Sequence, residues 1–333
     1  MLFYVIRRFI YMIILLFIVS IASFVIIQLP PGDYLTIYLE RLHQLSPETR
    51  AEDLRSALIV QYGLDKPLYI QYFRWMKNLL HGDLGRSFTY DEPAFKLITE
   101  RLPLTVALSL ATLIFTYIVA IPIGIYSAIH QYSIGDYCFT FIGFIGLSTP
   151  NFLLALTLMF LAFKYFGVEL GGLFSMEYIQ APWSMAKIID MINHMWIPII
   201  VIGTAGTAGL IRVMRGCLLD ELKKQYVITA RAKGIAERTL LFKYPIRVAI
   251  NPIISTIGWT LPGIGSGEGI TAMVLNLPTT GPLLIEALLN EDMYLAGTII
   301  MFLCFLTLIG TFISDLLLVL VDPRIRYEGH GRR

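Results

Sequence analysis

Apolar residues in this chain fall into long runs separated by polar stretches. The first run covers residues 9–29, directly after Arg7 and Arg8. Later runs cover residues 104–129, 137–166, 196–213, 246–275 and 294–321. A helix needs roughly 20 mostly apolar residues to cross the hydrocarbon core of a bilayer, so six transmembrane helices are predicted. The first run is too long for the apolar core of a signal peptide and no A-x-A site follows it, so it reads as a retained span. Prolines interrupt several runs: Pro122 in the second, Pro150 in the third, Pro252 and Pro262 in the fifth. GLSTPNF (residues 146–152) is expected to break its helix inside the membrane. Carbonyls freed there need neighbouring helices or pore water. Ser148–Pro150 therefore marks either a pore-side kink or a packing kink.

The polar stretches carry structure of their own. Residues 30–101 read as three helices. The first is capped by Ser46, with Pro47 at its first position, and is closed by Gly63. The second is capped by Asp65, with Pro67 inside its first turn. The third is short, over residues 93–101. In the second, Leu68, Tyr69, Tyr72, Phe73, Met76, Leu79 and Leu80 share one face, while Gln71, Arg74, Lys77 and Asn78 lie off it. Such a helix either lies on the membrane surface or packs on the protein. A second external loop, residues 167–194, holds Glu169, Glu177, Lys187 and Asp190. Within the fourth run, GTAGTAGL (residues 203–210) is built of small residues that let helices approach closely. The polar turn NLPTTGP (residues 276–282) and an amphipathic piece ending at Asp292 precede the last run.

Composition agrees with this pattern. Of 333 residues, 56% are hydrophobic and 15% charged, which a soluble domain does not need. The fold class is an all-α polytopic membrane protein. The net charge of +2 matters less than its placement. Six spans put both termini on one side. That side collects Arg7, Arg8, Arg212, Arg215, Lys223, Lys224, Arg231, Lys233, Arg238, Lys243 and Arg247, with Arg324, Arg326, Arg332 and Arg333 in the tail. The short outer loops hold only Lys187 and acids. Basic loops face the cytoplasm, so both termini are expected there, in a multi-pass protein of the cell membrane.

Candidate chemistry is sparse. Cys138, Cys217 and Cys304 lie far apart, and the five histidines do not cluster, so no metal or redox site is expected. PGIGSGEG (Gly263, Gly265, Gly267, Gly269) is glycine-rich, but no Lys-Ser/Thr follows, so it reads as close helix packing and not as a phosphate loop. No ATPase site, and hence no enzyme activity, is expected in this chain. Glu268 lies deep in the fifth run, where a carboxylate is costly unless it faces water or a partner. It lines either a translocation path or an interface with a second subunit. Asp315, near the inner end of the last run, is expected to pair with a basic side chain, and Asn251 to lie at an interface.

One polar, basic stretch stands between two apolar runs: QYVITARAKGIAERTLLFKYPIRVAINP, residues 225–252. Tyr226, Ala230, Lys233 and Gly234 recur at helical spacing, and Gly234 ends that helix. A second helix is read from Glu237 to Arg247. The pair forms a compact elbow on the aqueous face. By its residues alone this is either a surface another protein grips or a solvated basic loop.

TARAKG, followed by Arg247, Ala249 and Pro252, resembles the coupling loop of ABC-importer permeases, in the version of the dipeptide/oligopeptide/nickel family. The opening MLFYVIRRF, PPGD (residues 30–33), residues 62–88 and LVDPRIRY (residues 320–327) are similar to the same family. The chain has Ile228 and Thr229 where the generic family has Glu and Ala. It also has NLPTTG after the fifth run, where relatives read Phe-x-Leu-Pro-Gly-Leu-Gly. The family's acidic residue in the fifth span stands nearer Ala272 than Glu268. The resemblance implies a type I ABC importer permease fold. Its parts would be a first span over residues 1–29, an extracytoplasmic helical loop over 30–101, a five-helix core over 102–325 with the coupling loop at 214–247, and a tail over 326–333. It implies Tyr226, Thr229, Ala230, Arg231, Lys233, Gly234 and Arg238 as ATPase-coupling residues. It implies a second homologous permease, two ATPase subunits that carry ATP and Mg, an extracytoplasmic binding protein and membrane lipid as partners, and no nucleic acid. This chain would bind no cofactor of its own. Peptides are the family's default cargo, with nickel chelates and oligosaccharides open. A secondary transporter, the rival class, would show paired intramembrane acids and inverted repeats, whereas Glu268 stands alone. An intramembrane enzyme would need a metal or nucleophile pattern.

Overall fold

A computed structural model describes residues 2–28, 66–87, 89–167, 171–267 and 269–321. The helix read at Ser46–Gly63, the Asp65 cap, Glu169, Glu268 and the basic tail lie outside these residues. The chain divides into two compact units. One holds Met1–Met12, Leu104–Pro282 and Leu306–Arg333; the other holds Ile13–Pro103 and Leu283–Phe305.

Four helices are long and apolar enough to cross a membrane: Val5–Ile26, Ala94–Ile129, Met185–Leu222 and Tyr294–Val321. They belong to α1 (Leu2–Gln28), α3 (Ala94–Ile129), α6 (Met185–Leu222) and α13 (Met293–Val321). α4 (Ile134–Ser148) and α5 (Asn151–Phe166) meet at a 102° bend and make a fifth crossing if they act as one span. The run read as one span over 246–275 is interrupted after α9 (Pro245–Ala249) and is described further as α10 (Asn251–Gly267) and α11 (Gly269–Val274), with residue 268 outside the described residues. Pro252 accounts for the interruption, because it brings no N–H to bond the Val248 carbonyl, although Ile250 keeps helical dihedrals. Among the described residues the count is thus four, or five with the bent pair, against six expected.

Other boundaries also moved. The short helix expected at 93–101 is continuous with the second span, and α3 runs through Pro103. Pro103 and Thr99 are both exposed, so the carbonyl that loses its partner is not sealed in the core. α6 begins at Met185, inside the stretch read as external loop, and continues to Leu222, inside the stretch read as coupling loop. Ser184 starts it by accepting a hydrogen bond from the Lys187 amide. Lys187 is buried, with its Nζ over the Phe174 and Trp183 rings and bonded to the Ala181 carbonyl.

In the larger unit, α10 and α13 cross at their glycines. A Cβ on Gly310 would stand 2.7 Å from the Gly258 carbonyl oxygen. Ser314 Oγ donates to the Ile254 carbonyl at 2.6 Å, and Tyr117 Oη donates to the Ile253 carbonyl. Asp315 pairs with Arg8 at 3.1 Å, the partnership expected of it. At the α4–α5 bend, Ser148 Oγ donates to the Phe144 carbonyl at 2.6 Å and Thr149 Oγ1 to the Ile145 carbonyl at 2.8 Å. These are additional bonds to carbonyls of the last turn of α4; the Ile145 carbonyl also accepts from the Thr149 amide at 3.0 Å.

The smaller unit contains α2 (Leu68–Leu80), whose N-cap is Pro67. Pro67 therefore precedes the first turn instead of lying inside it. Trp75 is the buried centre of α2 and packs with Phe24, while Gln71, read as outward, is buried with Nε2 donating to the Lys66 carbonyl. Leu68, Tyr69, Phe73 and Leu80 are exposed. A two-residue hairpin follows, β1 (Arg86–Ser87) against β2 (Glu92–Pro93). Buried Asp292 holds it. Its carboxylate accepts from Ser87 Oγ, from the Thr89 amide and from the Leu295 amide at the start of α13. Tyr90 Oη donates to Glu286, and burial together with that bond pushes the phenol up to about 12. α12 (Thr280–Leu289) completes the fold.

Candidate functional site

The basic elbow leaves the end of α6, a 38-residue helix about 57 Å long. α7 (Gln225–Ala232) is its first helix. The last turn of α7 closes as the sequence requires. Gly234 has φ +74°, its amide donates to the Arg231 carbonyl at 2.9 Å, and the Ile235 amide donates back to the Ala230 carbonyl at 3.4 Å. This pair of bonds is the Schellman arrangement, which needs a residue in the left-handed region, hence glycine. Ile235 also packs near Ala230, as that motif favours.

The second helix of the elbow is shorter than its sequence pattern. α8 covers Glu237–Lys243 and stops because Tyr244 precedes Pro245. α9 then resumes with Pro245 at its first turn.

One face of the elbow is anchored. Val227, Ala230 and Leu240 are buried against one another, with Ile235 and Tyr244 beside them. The next residue, Leu241, joins a different cluster with Met214 and Leu218 of α6, Ile246 and Ala249 of α9, and Ile253 of α10. The start of α7 is tied down as well. Buried Glu221 accepts from Lys224 Nζ at 2.6 Å and from Tyr226 Oη at 2.5 Å. Arg231 and Glu237 form a bidentate pair across the turn. That hydrogen-bonded guanidinium holds the Glu237 carboxyl below the usual carboxylate range.

The seven residues singled out in the sequence thus separate by role. Ala230 is in the anchored core and Gly234 shapes the turn. Tyr226 and Arg231 are engaged within the elbow. Thr229 is exposed, with its hydroxyl on the Gln225 carbonyl. Lys233 and Arg238 are exposed cations. Ile228, 48% exposed, adds an apolar group to the same outward side. Glu221 was missed by sequence reasoning. Its spacing from Lys224 and Tyr226 was the available signal. Ser148 and Pro150 do lie at the break between α4 and α5.

The comparisons with known proteins fit this geometry. Residues 120–327 match the family described as binding-protein-dependent transport system inner membrane component. Residues 1–109 match the N-terminal family of the same membrane components. This chain belongs to that family. It is therefore an inner-membrane, multi-pass subunit of a binding-protein-dependent transport system, and this family is the membrane component and not the ATPase. The chain is 35% identical to the oligopeptide transport system permease protein AppB of Bacillus subtilis, over 97% of this chain and 99% of that protein. It is 31% identical to the oligopeptide transport system permease protein OppB of Haemophilus influenzae, over 94% of this chain and 95% of that protein.

Proposed function

We propose that this permease forms half of the translocation pathway of an ABC importer for oligopeptides, and that its elbow couples the pathway to ATP hydrolysis. The peptide cargo is carried over from AppB and OppB, whose names state it. A second homologous permease, two ATPase subunits and an extracytoplasmic binding protein complete the importer. ATP and Mg are held by the ATPase subunits, and both termini of this chain face the cytoplasm.

The elbow's two-sided construction is the observation that supports this reading. Its inner face is packed against α6, α9 and α10 and hydrogen-bonded to Glu221 of α6, so it moves as a rigid piece with them. Its outer side offers Ile228, Thr229, Lys233 and Arg238 to a partner. Closure of the ATPase pair on ATP displaces this piece, and the spans shift between inward and outward access, a two-state element biased by nucleotide. Lys233 and Arg238 pair with acidic groups of the ATPase groove.

The test is uptake in vesicles reconstituted with the whole importer and its binding protein. Lys233→Glu with Arg238→Glu is expected to leave ATP hydrolysis running while oligopeptide uptake falls. Unchanged coupled uptake in the double variant refutes the role of the elbow. Uptake of a nickel chelate or an oligosaccharide in place of the peptide refutes the cargo.

A further inference from the structure

A cavity of about 360 Å³ lies between α4 and α6. At Gly146 the helices are in tight contact, and a Cβ would stand 2.6 Å from Thr204 Cγ2. At Gly143 the nearest side-chain atom, Ala208 Cβ, would be at an ordinary 3.5 Å. The cavity extends from Leu147 past this contact to Tyr132 and Arg215.

Its charges do not balance. Asp136 is its carboxylate, and that group is fully engaged: Arg215 donates to both oxygens, at 3.1 and 3.0 Å, and the Tyr132 amide donates at 3.0 Å. Arg212 is left with its guanidinium over the Phe144 ring, 5.1 Å from the centroid. Among the described residues that line the cavity, no other acid faces it. The space therefore carries one uncompensated positive charge, beside the Phe144 ring, and apolar walls from there to Leu147. The ligand that fits is an anion with a hydrocarbon body.

The surroundings identify the source. The outer flank of α4 exposes Phe141 (67%), Ile142 (63%) and Ile145 (51%), a surface for acyl chains. Tyr132 and Tyr137 are exposed at the Asp136–Arg215 end of the cavity, as tyrosines are at the headgroup level. Basic pockets between spans on the cytoplasmic side hold anionic headgroups. We propose that this cleft binds one anionic phospholipid of the cytoplasmic leaflet, its phosphate on Arg212 and an acyl chain along Phe144 and Leu147. The choice of leaflet rests on the orientation given under the proposed function; the preference for an anion does not.

The test uses the purified permease complex mixed with equimolar phosphatidylglycerol or phosphatidylcholine and read by native mass spectrometry. Phosphatidylglycerol is expected to be retained about fivefold over phosphatidylcholine, the effect of one basic group at a membrane surface. Arg212→Gln should abolish the preference and Arg212→Lys should keep most of it. Leu147→Trp, which fills the cleft without altering charge, should lower retention of phosphatidylglycerol. Equal retention of the two lipids by the wild type overturns the proposal, as does an unchanged preference in Arg212→Gln. Displacement of the lipid by an oligopeptide overturns it too, because the cleft would then belong to the cargo path. Separately, Lys223→Cys in a background lacking Cys138, Cys217 and Cys304 should react with a membrane-impermeant maleimide only from the cytoplasm. Labelling from outside would overturn the leaflet and the topology, while the headgroup measurement stands by itself.

Discussion

Gly258 lies against the backbone of Thr311: a Cβ built on Gly258 would stand 2.5 Å from Thr311 Cα and 2.6 Å from its amide nitrogen. A main chain cannot yield as a flexible side chain does. Gly258→Ala is expected to force α10 and α13 apart at a cost of about 1–3 kcal/mol, as overpacking does. A lower Tm of the purified complex is the readout. Gly263→Ala is the control, since a Cβ there meets nothing within 4 Å. Equal Tm values for the two variants would refute the close crossing.

Gly234 makes the opposite case. No atom lies within 4 Å of a Cβ placed there, so only its φ of +74° resists substitution. Gly234→Ala is expected to weaken the last turn of α7 by about 1–2 kcal/mol, and Gly234→Asn by less, because asparagine tolerates the left-handed region. Hydrogen exchange of the Gly234 and Ile235 amides measures this directly. The order wild type, Asn, Ala should hold for protection.

Asp292 is a buried acceptor for three donors. Asp292→Ala orphans Ser87 Oγ and the Thr89 and Leu295 amides, at a cost of about 3 kcal/mol or more. Asp292→Asn is expected to fall between wild type and Asp292→Ala. It retains one acceptor oxygen but turns an NH₂ toward a donor. Thermal unfolding and proteolysis within residues 86–93 report the loss of the hairpin. Unchanged proteolysis in Asp292→Ala would show that the hairpin is held by other means.

The Arg231–Glu237 pair predicts a pH dependence. Its hydrogen bond lowers the Glu237 pKa in the folded elbow. A depressed carboxyl stabilises the fold above its unfolded value, about 4.3, and that contribution is lost as pH falls through the folded value. Protection of the elbow amides relative to their intrinsic exchange rates should therefore be insensitive to this group near neutrality and fall in acid. Glu237→Gln should remove that acid-dependent component. Both side chains are about half exposed, at 47% and 53%, so added salt should reduce the effect.

The sequence made the long spans legible because hydrocarbon demands an unbroken apolar run, and α1, α3, α6 and α13 answer to that demand. Gly234 was legible because its conformation is local and glycine is the residue that accepts it. The break at Ser148–Pro150 was legible for the same kind of reason. What stayed hidden depends on pairing across the chain. Asp136 and Arg215 are 79 positions apart, and Ser87 and Asp292 are 205 apart, so no local pattern joins them. Gln71 was misjudged because the buried side of α2, where Trp75, Tyr72, Met76 and Leu79 pack on Phe24, is displaced from the face read in the sequence. The limits of α6 were missed because its ends are polar, and capping by Ser184 outweighed that polarity. The interruption before Pro252 in the fifth run required weighing that proline against an otherwise continuous apolar stretch, while Pro262 lies inside α10.

Leu240 and Leu241 are neighbours in sequence yet belong to separate packed clusters, one inside the elbow and one among the spans. A single peptide bond thus joins the knuckle to the shaft. There is no slack for the first to travel before the second follows, so in the coupling proposed above a displacement of the knuckle would be delivered to the pathway in the same stroke.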